Sequence, residues 1–115
     1  KAFDISKFVL LTEAAHPFHP KTIKASAGTV FSMCIFEGPS IKDLNRAEEL
    51  YGLDSGGTPL KDMNFEAPIR VLLGEEGQGL PEGVNTKKIS VPISDDVESL
   101  NATVAASVLF YELKK

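Results

Sequence analysis

The chain of 115 residues has 43% hydrophobic and 24% charged residues, an ordinary globular composition, and is long enough for one domain with its own core. No stretch is long and apolar enough to cross a bilayer and no secretory signal opens the chain, so we expect a soluble protein that does not act at a membrane. The lone Cys34 excludes an internal disulfide and fits a reducing cytoplasm, while the net charge of −4 means that any nucleic-acid binding would depend on local basic clusters.

The first half of the chain alternates predicted strands and helices. Residues 7–12 form an apolar run that predicts a buried strand. Pro20 suits a first helical turn, and apolar residues at helical spacing predict a helix over 20–31, with Gly28 inside it. A short strand is predicted over 33–36.

A second helix is predicted to begin after Ser40, which is followed by Asp43 at the third position as in a capping box. The residue at which this helix ends is ambiguous from periodicity alone. The helical pattern would carry it to Tyr51, with Gly52 as its cap.

The second half contains two predicted strands, a short helical turn and a long helix. The strand over 69–73 is continuously apolar and is expected to be buried on both faces, and a helical turn is expected over 80–85. Pro92 restricts the pairing of the strand over 88–93. The helix over 99–113 is apolar nearly all round, so it should be largely buried, with Asp96 or Ser99 as its cap. Strands that alternate with helices predict a mostly parallel sheet covered by helices on both faces.

A glycine-rich loop follows the strand over 69–73 at once and is a candidate binding site. Gly74, Gly77 and Gly79 allow a ligand to approach the main chain closely, and ligands of open α/β sheets lie beyond the carboxyl ends of the strands. Glu75 and Glu76 argue against a bound phosphate and favour a ligand with cationic or hydrogen-bond-donor groups. A plain turn with solvated glutamates is the structural alternative.

Several segments together resemble the SpoU (TrmH) branch of the SPOUT RNA methyltransferases. Residues 70–80 (Arg-Val-Leu-Leu-Gly-Glu-Glu-Gly-Gln-Gly-Leu) are similar to the family's second motif, and residues 89–93 with 99–113 are similar to its third. Residues 20–31 and 52–60 also resemble the family, so the likeness covers nearly the whole chain. The resemblance implies an α/β fold with a mostly parallel sheet flanked by helices and a C-terminal trefoil knot, and it makes residues 50–53 a strand that leads into a turn.

The resemblance implies a homodimeric enzyme that moves a methyl group from S-adenosylmethionine to a ribose 2′-hydroxyl of tRNA or rRNA. The family's cofactor contacts fall on five positions, which are Leu53, Gly74, Val91, Ile93 and Leu100. Its motif glutamate falls on Glu76, and its polar pair, expected to organise the reaction centre, falls on Ser99 and Asn101. The alternative for the apolar positions is ordinary core packing, and for Asn101 it is a hydrogen bond at the helix start.

The sequence departs from the family pattern in its first motif, whose asparagine and arginine are absent. Residues 1–4 look like the tail of the helix that carries this arginine, so residues 1–115 are interpreted as an N-terminally incomplete SpoU-type domain. Neither Arg46 nor Arg70 lies in a matching context. Asp95 stands where the family commonly has glycine, and Glu75 where it has asparagine. A non-catalytic knotted domain that only binds the cofactor therefore remains as an alternative function.

A zinc site is a weaker hypothesis. His16, His19 and Cys34 could be combined as ligands, but they lack the paired spacing of structural zinc sites and a fourth ligand. We therefore predict no metal.

Overall fold

The computed structural model describes residues 1–44, 49–66, 68–75 and 78–115, which fall into two compact units, residues 1–44 and 45–115. All strand pairings in the described residues are parallel, as predicted. They are distributed over two separate sheets, one in each unit, rather than over one.

The first unit contains a two-stranded sheet, one short helix and two 3₁₀ turns. Strand β1 (Phe8–Leu10) pairs with strand β2 (Ile35–Glu37), and the segment between them contains helix α1 (Pro20–Ala25) and a 3₁₀ turn over Thr29–Ser32. Both strands lie close to their predicted positions but are shorter. Contrary to the prediction of a buried strand, Phe8 in β1 is exposed.

Helix α1 ends six residues earlier than predicted, because the chain leaves the right-handed conformation at Ala27 and Gly28. The φ angles there are 49° and 77°. The N–H of Gly28 donates to the carbonyl of Ile23 and the N–H of Ala27 to that of Lys24, the hydrogen-bond pair of a Schellman motif. Gly28 is therefore part of the helix stop, and its predicted place inside the helix is wrong.

The helix predicted after Ser40 is a single 3₁₀ turn, Ile41–Asp43, in the described residues. Ser40 caps it as predicted, since its hydroxyl accepts a hydrogen bond from the N–H of Lys42 at 3.3 Å. The carboxylate of Glu13 accepts from both the Ser40 hydroxyl and the N–H of Ile41, and these bonds hold the pKa of Glu13 below its ordinary value. The rest of the predicted helix, residues 45–48, lies outside the described residues.

The second unit is built on a three-stranded sheet with the order β4-β3-β5. Its strands are β3 (Leu50–Pro59), β4 (Arg70–Leu72) and β5 (Lys87–Ser90). The strand predicted over 50–53 is confirmed, but the expected turn after it continues as strand, with an irregular register against β5 between Leu53 and Thr58.

Two other expectations for this unit are wrong. Strand β4 is not buried on both faces, since Arg70 is exposed and its two neighbours are only half-buried. Residues 80–85 form an irregular turn and no helix.

The core of the second unit joins the sheet to helix α2 (Ala102–Lys114). Tyr51 of β3, Ile89 of β5 and Leu109 of α2 are buried against one another together with Leu60. The ring of Phe65 packs edge-on against Tyr51, with centroids 5.3 Å apart. Helix α2 is the only α-helix in the described part of this unit, so the prediction of helices on both faces is not met.

Helix α2 buries one face only, although it was predicted to be largely buried. Ala106 and Leu109 are buried, whereas Val104, Val108 and Tyr111 are 49%, 37% and 58% exposed. No helix in the described ranges is long and apolar enough to span a membrane.

Asn101 caps helix α2, so the predicted caps Asp96 and Ser99 are wrong. The Asn101 side-chain oxygen accepts hydrogen bonds from the N–H groups of Thr103 at 2.9 Å and Val104 at 3.4 Å. These are two of the donors that a helix leaves unpaired at its first turn.

We expect Asn101→Ala to lower the free energy of unfolding by about 1 kcal/mol, the usual value of such a cap. Asn101→Asp, which retains the acceptor oxygen, should stay within a few tenths of a kcal/mol of the wild type. Urea unfolding followed by circular dichroism measures both. Equal losses in the two variants would contradict the capping role.

Candidate functional site

An open pocket of about 800 Å³ lies at the carboxyl ends of β4 and β5, beside the middle of β3. Its wall is made of residues 53–55 within β3 and of the segments that follow β4 and β5, and it is closed by the start of α2 as far as Ala105. This volume lies in the range of sites that hold a small organic ligand or cofactor. The position, beyond the carboxyl ends of parallel strands, is the one expected for an open α/β sheet.

The glycine turn forms one wall of this pocket and is tightly closed. Glu75 and Gly79 exchange both of their backbone hydrogen bonds, at 3.2 and 2.9 Å. A β-carbon on Gly74 would lie 2.3 Å from the carbonyl carbon of Gly79 and 2.7 Å from the nitrogen of Leu80. Only glycine allows this approach of two backbone segments, so the turn brings main-chain atoms to the pocket surface.

The five positions predicted for the cofactor all line this one pocket. They come from three segments distant in sequence, around Leu53, Gly74 and 91–100. Leu53 also packs partly against the core, as the structural alternative for this residue states. The structure thus brings these positions together, and their contact with a cofactor stays a prediction.

Two of the three residues predicted for the reaction centre, Ser99 and Asn101, also line the pocket, and Glu76 lies outside the described residues. Asn101 is exposed, and its side-chain oxygen is engaged in capping α2, which is the structural alternative stated for it. Its catalytic role is therefore an additional proposal rather than a consequence of this geometry. Asp95 has no left-handed φ angle, so the turn that contains it does not require the glycine common in the family.

Sequence reasoning missed part of the lining, including Ser90 and Ala105. The Ser90 hydroxyl donates to the carbonyl of Gly57 at 2.9 Å and ties β5 to the far half of β3. Ala105 lies one turn after the cap of α2 and could have been found once the helix start was known. Ser90, directly after the buried Ile89, carries no comparable signal in the sequence.

The only ion pair at the pocket edge within the described residues joins Asp54 to Lys88, at 2.9 Å. Asp54 also accepts a hydrogen bond from the N–H of Gly56 at 2.9 Å. The bond from the Lys88 ammonium is the largest cause that holds the pKa of Asp54 below its ordinary value, followed by the bond from Gly56.

We expect Asp54→Asn to lower the free energy of unfolding near neutral pH by about 0.5 kcal/mol, the value of a solvent-accessible ion pair. Because the folded-state pKa is lowered, the stabilisation is present above the ordinary carboxyl pKa and is lost as the pH falls through the lowered value. Wild type and variant should therefore converge in acid when urea unfolding is measured across pH. Asp96→Asn, at an exposed position, is the control, and a difference that persists unchanged in acid would contradict the prediction.

The electrostatic character of the pocket is acidic. Glu75, Asp95 and Glu98 line it together with Asp54, and no lysine or arginine is among the described lining residues. An anionic ligand held by charge, such as a phosphate, does not fit this lining. A ligand with positive charge does.

The described residues contain no group of three or more histidine, cysteine, aspartate or glutamate side chains placed to hold a metal ion. His16 accepts a hydrogen bond from the N–H of Phe18, and His19 accepts one from the N–H of Lys21. Both imidazoles thus shape the turn that leads into α1.

Fold and pocket together define an α/β domain with an open pocket at the edge of a parallel sheet. The chain belongs to the SpoU rRNA methylase family, whose model matches residues 1–111. The resemblance predicted from the sequence is confirmed.

Similar proteins include RNA methyltransferases of known sequence and structure. A protein of Syntrophobacter fumaroxidans, ribosomal RNA small subunit methyltransferase G 2, is 40% identical over 96% of this chain and 22% of its own length. A 23S rRNA uridine 2′-O-methyltransferase of Streptomyces viridochromogenes is 30% identical over 90% of this chain and 41% of its own length. The crystal structure of the SpoU methyltransferase AviRb from that organism, in complex with S-adenosylmethionine, is 28% identical with a TM-score of 0.82, over 98% of this chain and 50% of AviRb.

The chain thus spans about a fifth to two fifths of the length of these curated relatives and half of the solved one.

Proposed function

We propose that this chain is the cofactor-binding part of an RNA methyltransferase that uses S-adenosylmethionine to methylate a ribose 2′-hydroxyl of tRNA or rRNA in the cytoplasm. The observation that carries the proposal is the convergence of Leu53, Gly74, Val91, Ile93 and Leu100 on one pocket. The complex of AviRb with S-adenosylmethionine supports the choice of cofactor, and the name of the Streptomyces relative supports the 2′-hydroxyl.

The pocket fits S-adenosylmethionine in size and in chemistry. Its apolar lining, including Leu53 and Leu100, suits a flat adenine ring, and the glycine turn at Gly74 presents backbone groups that can bond to the ring and the ribose. The acidic lining suits the positive charge of the ligand. When bound, this cofactor supplies a methyl group on a positively charged sulfur.

Transfer to the 2′-hydroxyl would form a carbon–oxygen bond as the carbon–sulfur bond breaks, and the hydroxyl proton would pass to a water molecule. The protein must hold acceptor oxygen, methyl carbon and sulfur in line, since the reaction is an in-line displacement. We assign this orienting work to Ser99 and Asn101 at the start of α2 and to Glu76 of the glycine turn. The first-motif asparagine and arginine have no counterpart in this sequence, so a domain that only binds the cofactor is the second candidate function.

Isothermal titration of the chain with S-adenosylmethionine tests the pocket directly. We expect one site per chain, with binding weakened in Gly74→Ala. Absence of binding at millimolar ligand would contradict both candidate functions.

Transfer of a radiolabelled methyl group to tRNA and rRNA transcripts separates the two candidates. A 2′-O-methylated nucleotide supports the enzyme, and cofactor binding without transfer supports the binding domain.

The apolar face of α2 supports a further part of the proposal, a homodimer. Val104, Val108 and Tyr111 are spaced to lie on one side of the helix and are exposed in the single chain. Sedimentation equilibrium should give a dimer for the wild type and a monomer for Val108→Asp. A monomeric wild type at high concentration would contradict this assignment.

We also propose that the C-terminal segment is threaded as a trefoil knot, which the convergence of 53–55, 73–75, 78–80, 90–95 and 97–102 on one pocket supports. An experimental structure in which residues 100–115 do not pass through the preceding loops would contradict it.

A further inference from the structure

The pocket carries an excess of negative charge that its own ion pairs do not cancel. The charge of Asp54 is compensated by Lys88. Glu75, Asp95 and Glu98 also line the pocket, and none of them forms an ion pair within the described residues. Three acidic residues that have no cationic partner among the described residues therefore line the space that a ligand would enter.

The methyl donor and its product differ in the transferred methyl group and in the charge on the sulfur, and the excess of negative charge bears on the second difference. S-adenosylmethionine carries a positive sulfur, whereas S-adenosylhomocysteine, which is left after transfer, has the same adenosine and amino-acid groups with a neutral sulfur. Contacts with adenine and ribose cannot distinguish the two, because those groups are identical. A negative pocket can distinguish them, because only the donor has the additional charge.

We propose that Glu75, Asp95 and Glu98 make this pocket selective for the positively charged methyl donor over its neutral product. The inference rests on the proposed function of the pocket and adds a specificity that the backbone contacts alone do not provide. This selectivity has a consequence for turnover. Because S-adenosylhomocysteine is bound more weakly than S-adenosylmethionine, methyl transfer promotes release of the product.

The size of the effect follows from Coulomb's law in a solvated site. A carboxylate at a separation of roughly 7 Å from a unit positive charge in water would favour the charged ligand over the neutral one about threefold at low salt. Three such carboxylates would together give about twentyfold to thirtyfold, most of which is lost at 1 M salt, where the screening length is about 3 Å. The informative quantity is the ratio of the two affinities, because contacts common to both ligands cancel from it.

The test is isothermal titration of the full chain with S-adenosylmethionine, S-adenosylhomocysteine and sinefungin, which replaces the methylated sulfur with a carbon bearing a positive amine. We expect the donor-to-product affinity ratio to fall about twentyfold between low salt and about 1 M salt. Sinefungin should follow the donor rather than the product. Asp95→Asn and Glu98→Gln should each lower the ratio about threefold at low salt and leave the affinity for the product nearly unchanged.

Two variants control for effects other than charge at the pocket. Glu82→Gln removes a carboxylate that does not line the pocket and should leave the ratio unchanged. Asp95→Glu retains the charge and should also retain the ratio. A ratio that is insensitive to salt and to Asp95→Asn would overturn the inference while leaving cofactor binding intact. Failure of all three ligands to bind would overturn the proposed function and the inference with it.

Discussion

Gly74→Ala is expected to weaken S-adenosylmethionine binding by about tenfold to a hundredfold, with 1.4 kcal/mol for each factor of ten. The added β-carbon would lie 2.3 Å from the Gly79 carbonyl carbon, a distance that real β-carbons do not adopt. The clashing atoms belong to the backbone and cannot rotate away, so the turn between Glu75 and Gly79 must open. Its main-chain groups then leave the pocket wall.

Gly56→Ala is the matched control for this prediction. A β-carbon on Gly56 would meet only a side-chain oxygen of Asp54, at an ordinary distance of 3.4 Å. It should bind the cofactor like the wild type. Titration calorimetry and thermal unfolding of both variants separate loss of binding from loss of fold, and wild-type affinity in Gly74→Ala would show that the turn does not form the binding surface.

The meeting of the predicted cofactor positions at one pocket could be anticipated, in part from local chemistry and in part from the family resemblance. A short apolar strand that ends in several closely spaced glycines leaves few conformations other than a tight turn at a sheet edge. The family resemblance then specified which distant residues meet there. Neither the turn nor the convergence depends on packing details that a sequence hides.

The helix boundaries were harder, because several residues compete for the same role. Asp96, Ser99 and Asn101 are all good N-caps, and the local preference does not rank them. Which of these residues caps α2 depends on how the helix packs against the sheet, because Leu109 must lie in the core. The end of α1 was mispredicted for a related reason. Apolar residues at helical spacing continue beyond Gly28, although the backbone is already left-handed at that residue.

Burial was also poorly predicted, in β1, in β4 and on α2. An apolar run shows that a segment could be buried, but it does not show whether another element covers that segment. Phe8 and Val108 are exposed in the chain as described, although their surroundings in the sequence are as apolar as those of Leu109. Only the three-dimensional arrangement distinguishes the exposed apolar residues from the buried ones.

Leu109→Ala is expected to lower the free energy of unfolding by about 2–5 kcal/mol, the range for truncating a buried leucine. The Leu109 side chain is 0% exposed and joins α2 to Tyr51 of β3 and Ile89 of β5. A cavity here loosens the helix whose first turn closes the pocket, so cofactor affinity should fall as well. Because small proteins are stable by only about 5–15 kcal/mol, the variant should be partly unfolded well below the wild-type melting temperature.

Leu109→Met, which nearly conserves volume, distinguishes a cavity from a general sensitivity of this position. It should cost less than about 1.5 kcal/mol, because the flexible methionine can fill the same space. Urea and thermal unfolding of both variants, with saturating S-adenosylmethionine and without it, measure the two effects together. If Leu109→Ala were as stable as Leu109→Met, Leu109 would not be the link between α2 and the sheet, and the start of this helix would have to be held at the pocket by other contacts.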